Sequence, residues 1–281
     1  MASIEKYTKK NIIYELRHNT RESTRPPSNI DIDPERTQLN ESLAPPDRGG
    51  AQPNDGEAAR AARQYLKERL SEVYCYGRDD LVVAASWVIT APKDFPTEER
   101  EAFWHETYNF LNSLYNERNV IQAIIHRDEG LHIDGRVVAG EEHMHYVFIP
   151  VVKNDKYNKP NRYGNISGSS LYEEKVCANE LITKKHLEEF HPAYQQWLDD
   201  HGIHATVHSG VTGGRNHTVD ELKRDTLDRE IQRLHDLTES LDRENQALRA
   251  RIEELEHSHN RNYSGSRWNN TIEYTNERSR W

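Results

Sequence analysis

Leu227, Leu234, Leu241, Leu248 and Leu255 fall at every seventh residue. Apolar residues repeated at that interval share one stripe only on a helix, so this segment must be a long rod. With these leucines at the d positions of a heptad, the a positions are Ile231, Thr238, Asn245 and Ile252. Isoleucine at a with leucine at d favours a parallel two-stranded coil, and a buried asparagine facing its own copy sets the register. In such a pair Glu244 faces Arg249 of the second copy and Arg251 faces Glu256. Each exposed pair contributes about 0.2–1 kcal/mol. The expected dimerisation stripe is Leu227, Ile231, Leu234, Leu241, Asn245, Leu248, Ile252 and Leu255, on a helix over roughly 219–257. One amphipathic helix folded onto its own chain is the competing reading of the same stripe.

The rod also bears on the charge. A formal net charge of -10 argues against a nucleic-acid partner, because phosphate binding wants Lys and Arg. Half of that charge lies between Val219 and Glu256, where twelve acids stand against seven Lys or Arg. From Met1 to Arg48 the count is eight against eight. Lys153, Asp155, Lys156, Lys159 and Arg162 net +3, interleaved with Tyr157 and Tyr163, a composition suited to a DNA backbone with stacked bases. An acidic rod does not suit an anionic membrane surface.

Only 35% of the 281 residues are hydrophobic, so part of the chain is expected outside any core. There is no apolar run near 18 residues and no leader pattern, and the expectation is a soluble cytoplasmic protein without membrane insertion. Cys75 and Cys177 fit no metal or redox spacing and suit a reducing compartment.

The first 50 residues are polar and close on the loop signal Ala44-Pro45-Pro46 through Gly49-Gly50. Residues 57–72 read as a helix, Asp80 to Thr90 as a buried strand, and Thr97 as the N-cap of a helix to about Asn116. Val120 to His126 and Glu142 to Val152 read as two further strands, separated by a hairpin-like excursion through Gly130, Asp134-Gly135 and Gly140. A helix from Thr183 to His201 ends on Gly202. The expected organisation is a folded domain over 1–215, the coiled coil over 219–257 and a disordered tail over 258–281.

The chemistry concentrates on two strands. Side chains two apart on a strand share a face, so His143 and His145 project together, with Val147 and Ile149 continuing that face. His126 ends the preceding strand, just before Asp128 and Glu129. If the strands pair, three imidazoles converge beside a carboxylate and leave open positions on a bound ion. His132 lies in the turn region and is not included. Histidines are often surface or core residues, and on ligand chemistry alone three of them suit zinc or another late metal.

Upstream, Arg17-His18-Asn19-Thr20-Arg21 sets a histidine between two arginines. Neutral imidazole, with an ordinary pKa of about 6.5, can attack a phosphate, and arginines can hold one. A charged surface loop accounts for the same run.

The run R-H-N-T-R, then S-N-I-D-I-D and R-T-Q-L-N, resembles the first motif of the Mob/Pre family, the MobV class of plasmid mobilization relaxases. H-R-D-E followed by H-M-H resembles its metal motif, and Thr183–Gly202 its later region; the similarity covers roughly residues 1–215. The resemblance implies an α+β fold of the HUH-endonuclease type: a central antiparallel sheet flanked by helices, here followed by the coiled-coil helix. It implies site- and strand-specific nicking and rejoining of single-stranded or hairpin DNA at an origin of transfer, with Mn²⁺ or Mg²⁺ on His126, His143 and His145. His18 would be the nucleophile of a covalent phosphoramidate, with Arg21 and Glu129 beside it in the catalytic set. Arg17, Asn19 and Arg25, with Lys153, Lys156, Lys159 and Arg162, would contact DNA, and the conjugation machinery is a further implied partner.

One departure stands out. Family members place H-x-H a few residues after D-E, with a proline before it. Here thirteen residues separate Glu129 from His143, and Glu142 holds the proline's place. A longer hairpin can absorb the gap.

Three other readings compete. A zipper transcription factor needs a basic region before Leu227, but residues 219–226 carry more acids than bases. A metal hydrolase acting on small substrates leaves the His18 segment unexplained. A dimeric DNA-binding protein of plasmid recombination or replication initiation, without a covalent step, is the nearest alternative.

Overall fold

The computed structural model describes residues 2–22, 32–48, 56–92, 95–133, 136–139, 142–207 and 219–277. The chain divides into two compact units, Met1–Arg215 and Asn216–Trp281. The first unit runs β1 (Ala2–Thr8), α1 (Ile12–Asn19), β2 (Glu41–Ser42), α2 (Gly56–Glu72), β3 (Val82–Thr90), α3 (Arg100–Tyr115) and β4 (Val120–His126). It continues through β5 (Leu131–Ile133), β6 (Arg136–Ala139), β7 (His143–Phe148), β8 (Val151–Lys153), β9 (Glu174–Val176), the single turn α4 (Ala178–Leu181) and α5 (Lys184–Asp200).

Five strands form one sheet in the order β1-β3-β7-β4-β2, each neighbour antiparallel. β7 is central, and the alternation of its side chains feeds two cores. Met144, Tyr146 and Phe148 enter the larger, with Trp87 and Ile89 of β3, Phe103 and Leu111 of α3, and Phe190 and Tyr194 of α5. Val147 and Ile149 enter the other, with Ile12 and Leu16 of α1 and Ala62 and Leu66 of α2. β4 is buried at every position, as a strand covered on both faces requires. This is the α+β architecture expected from the sequence: an antiparallel sheet between helices.

Several boundaries differ from expectation. The expected strand over 142–152 breaks after Phe148, because Pro150 has no N–H for the ladder. Val151–Lys153 pairs with β9 instead. Thr97 is not the cap of α3: Thr97–Glu99 form a 3-10 turn, and α3 begins at Arg100 without a side-chain cap. At α5 the expectation holds at both ends. Thr183 Oγ1 accepts from His186 N at 3.1 Å, and Gly202, at φ +74, donates its N–H to the Asp199 carbonyl at 3.1 Å.

The polar N-terminal segment is more than a loop. β1 forms the sheet edge on β3, and α1 buries Ile12 and Leu16, one turn apart, against the smaller core. β5 and β6 pair antiparallel, whereas Asp134, Gly135 and Gly140 lie outside the described residues.

The second unit carries α6 (Val219–Glu277), 59 residues long. It runs past 257, where the heptads end, through residues that composition assigned to a disordered tail; residues 258–277 hold no proline to stop it. Leu227, Ile231, Leu234, Leu241, Leu248, Ile252 and Leu255 are all exposed along it.

Candidate metal and phosphate site

The register of two strands builds the site. His126 of β4 lies opposite His143 of β7, and His145, two residues along, lies opposite Ile124. All three imidazoles therefore rise on the face that α1 covers. Ring centroids lie 5.2 Å apart for His126–His143, 4.8 Å for His126–His145 and 5.1 Å for His143–His145. His18, in the last turn of α1, brings a fourth ring to 5.8 Å from His126 and 5.7 Å from His145. Two sets of potential ligand atoms, each within 4.8 Å of one another, share His126: His18–His126–His145 and His126–Glu129–His143.

Hydrogen bonds decide which nitrogens face inward. The Asn19 carbonyl accepts from His126 Nε2 at 2.9 Å, which puts the proton on that nitrogen. Nδ1 then carries a lone pair; it is buried and has no hydrogen-bond partner among the described residues. It stands 3.6 Å from the carboxylate oxygen Oε1 of Glu129. Burial, with His145 and Arg21 nearby, holds His126 well below its ordinary pKa, so the ring is neutral. A lone pair and a carboxylate facing each other at this distance fit a cation between them. His145 donates from Nδ1 to Glu15 Oε1 at 3.2 Å, which leaves Nε2 as the ring's other potential ligand atom. Burial would raise the Glu15 carboxyl, but the hydrogen bond it accepts from His145 outweighs this and holds the group at about 2.

The carboxylates after β4 are fixed by one arginine. Arg21 Nε and Nη2 grip Asp128 Oδ2 and Oδ1 at 2.9 and 2.6 Å, and Nη2 also meets Glu129 Oε1 at 2.7 Å. Glu129 thereby stands 3.6 Å from His18 Nε2 and 3.9 Å from His143 Nε2. Within the thirteen-residue gap, β5 and β6 form a two-stranded ribbon of their own. Glu142, in the proline's place, accepts from Trp104, Arg100 and Arg127 at 2.7, 3.0 and 2.8 Å, tying the start of β7 to α3.

Two expected roles change. Asn19 does not face DNA: it is fully buried, its side chain donates to Gln122 Oε1 at 3.2 Å, and its carbonyl orients His126. Arg21 was expected to hold the scissile phosphate, yet its side chain is 7% exposed and bound to two carboxylates. It works as a strut. Arg17 is half exposed and 3.6 Å from Glu22, and Arg25 lies outside the described residues.

The basic segment is not gathered with the histidines. Lys153, Lys156, Lys159 and Arg162 are exposed, but the chain reaches them from the Phe148 end of β7, roughly 17 Å along the strand from His143. A 560 Å³ cleft at that end takes in Asn112, Tyr115, Lys153 and Glu174 and none of the histidines. We place the chemistry at the histidines, where titratable groups converge.

Glu15 and the structural part of Asp128 were not singled out by sequence. Only the docking of α1 onto β7 brings Glu15 to a histidine 130 positions away. Among the described residues no helix is long and apolar enough to cross a membrane.

The same architecture occurs in solved structures. The MobM relaxase domain (MOBV; Mob_Pre), determined with manganese and 22-nucleotide pMV158 oriT DNA, shares 22% identity at a TM-score of 0.56, covering 80% of this chain and 98% of that one. The same domain bound to 23-nucleotide oriT DNA gives 20% identity and a TM-score of 0.55. These likenesses establish a common fold. In sequence, the plasmid recombination enzyme of Streptococcus agalactiae is 26% identical over 208 residues, 73% of this chain and 35% of its own length. The type 1 plasmid recombination enzyme of Staphylococcus aureus is 22% identical over 182 residues, 63% of this chain and 38% of its own. The chain thus spans little more than a third of either relative. The family described as plasmid recombination enzyme matches residues 1–219, and the chain belongs to that Mob/Pre family.

Proposed function

We propose that this protein is a relaxase that nicks and rejoins one DNA strand at an origin of transfer through a covalent bond to His18. The observation that carries the reading is the fourth imidazole: His18 stands on a half-exposed edge of the histidine cluster, its Nε2 3.6 Å from Glu129 and 3.5 Å from Arg21 Nη1. Burial, then the charge of Arg21, lowers its pKa and favours the neutral nucleophile. Membership in the family and a fold shared with a relaxase solved on oriT DNA support the same class of activity.

His126, His143 and His145 would hold a divalent ion, Mn²⁺ or Mg²⁺, with Glu129 at its edge; the inward lone pair of His126 Nδ1 fits that use. Bound there, the ion supplies charge neutralisation at the scissile phosphate. His18 attacks phosphorus in line, an N–P bond forms, and the bond to the 3′ oxygen breaks to leave a free 3′-OH. Arg21 keeps Glu129 beside His18, and Arg17 would meet a neighbouring phosphate. The adduct retains the phosphoryl bond, so attack by a 3′-OH expels His18 and rejoins the strand.

The unit over 1–215 would carry this chemistry, while α6 pairs with a second copy through its heptads in the cytoplasm. Incubating the protein with supercoiled plasmid bearing its origin and Mn²⁺ tests the activity. Nicked DNA with protein on the 5′ end, absent from His18→Ala, is the expected result. Wild-type adduct in that variant removes His18 from the role. Tight origin binding with no adduct would favour the non-covalent DNA-binding alternative.

A further inference from the structure

Glu15 sits on α1 three residues before His18, on the turn that packs over β7. Its side chain is only 12% exposed, and its inward neighbours on the helix, Ile12 and Leu16, are apolar. Packing asks for another apolar residue at such a position, since burying a carboxylate costs several kcal/mol unless a partner is present. The partner is His145 Nδ1, at 3.2 Å. The Tyr7 hydroxyl, which donates to Glu5 at 2.8 Å, is a second polar neighbour of the Glu15 carboxylate and also favours its charged form.

A carboxylate only accepts, so this contact fixes both the proton of His145 and the angle of its ring. We propose that Glu15 is a positioning residue: it holds His145 with Nε2 turned toward His126 and His18, with which its ligand atom converges, and so raises the affinity of the histidine cluster for a divalent cation. The inference rests on the metal reading above. It assigns α1 a second task besides presenting His18. Two of the three imidazoles take their orientation from this helix, His126 from the Asn19 carbonyl and His145 from Glu15. Outer partners of this kind typically change metal affinity by about 10–100-fold when removed.

Titrating full-length protein with Mn²⁺, free ion being followed by its paramagnetic resonance signal, tests the inference without DNA or turnover. Wild type, Glu15→Gln, Glu15→Ala and His145→Ala are compared, with thermal melts alongside. Glu15→Ala is expected to weaken Mn²⁺ binding about 10–100-fold. Glu15→Gln, whose amide oxygen still accepts from Nδ1, falls between it and wild type and serves if the alanine variant does not fold. Weak binding by His145→Ala with unchanged affinity in both Glu15 variants overturns the inference and leaves the metal site standing. A wild type that binds no Mn²⁺ overturns the metal reading and the affinity effect together. Nitrogen-15 spectra of the imidazoles then still decide the positioning: His145 protonated on Nδ1, and no longer so in Glu15→Ala, supports it. Protonation on Nε2 in wild type overturns it.

Discussion

Arg21 adopts φ +54, a left-handed backbone that costs a non-glycine residue about 1–3 kcal/mol. The grip on Asp128 and Glu129 holds it there, and Asp128 is fully buried. Deleting one member of a buried ion pair strands the other, so Asp128→Ala is expected to lower unfolding free energy by about 3–5 kcal/mol in urea. An unchanged urea midpoint would mean that Arg21 finds other partners. The sign with pH follows from the same pair. Burial would raise the Asp128 carboxyl, but Arg21 overrides it and holds it below the ordinary range. Its contribution is therefore complete above the unfolded value of about 3.9 and is lost as pH falls through the folded value. Stability should be flatter between about pH 5 and pH 2 in Asp128→Ala than in wild type. For His18, burial and Arg21 lower the pKa from 6.5. Single-turnover adduct formation should hold as pH drops to 6.5 and fail only below it. A midpoint above 6.5 would contradict the depressed imidazole.

At the scale of elements, what the sequence showed depended on how much of each element's burial is local. β4 and the H-x-H strand were legible because a central strand must be apolar on both faces, and a period of two puts His143 and His145 together. β1 and α1 were not. β1 offers Ile4 and Tyr7 to opposite faces, and α1 buries only Ile12, Leu16 and Asn19, so neither shows a sustained period. Their positions come from β3 and the smaller core. The same limit hid Glu15 and misplaced Asn19, whose side chain and carbonyl both point into the protein. The docking of α1 is testable through Leu16, which is 0% exposed beneath the helix. Leu16→Ala is expected to cost about 2–5 kcal/mol in thermal or urea unfolding. A near-zero cost would show that α1 is not held by this contact.

Across the whole molecule, apolar burial and negative charge are unevenly shared. The histidine site and both cores lie within Met1–Arg215, while half the net negative charge lies on α6. That helix exposes Leu227 to Leu255 along one stripe, about 42 Å of rise at 1.5 Å per residue. A second α6 suits the stripe better than a membrane or a nucleic acid does, because an acidic helix is repelled by both. Ending the chain at residue 207 should therefore give a monomer in sedimentation, and the full chain a dimer. A dimeric truncation would place the interface on the first unit. Asn245 supplies the sharper test. At an a position between Thr238 and Ile252 it stabilises less than an apolar residue would, yet it satisfies its amide only when two copies align in parallel register. Asn245→Val should then raise the dimer's melting temperature and admit higher oligomers or shifted registers, visible as a mixed population in sedimentation. If Asn245→Val stays a single dimer of unchanged stability, Asn245 is not at the interface, and the stripe meets something other than its own copy.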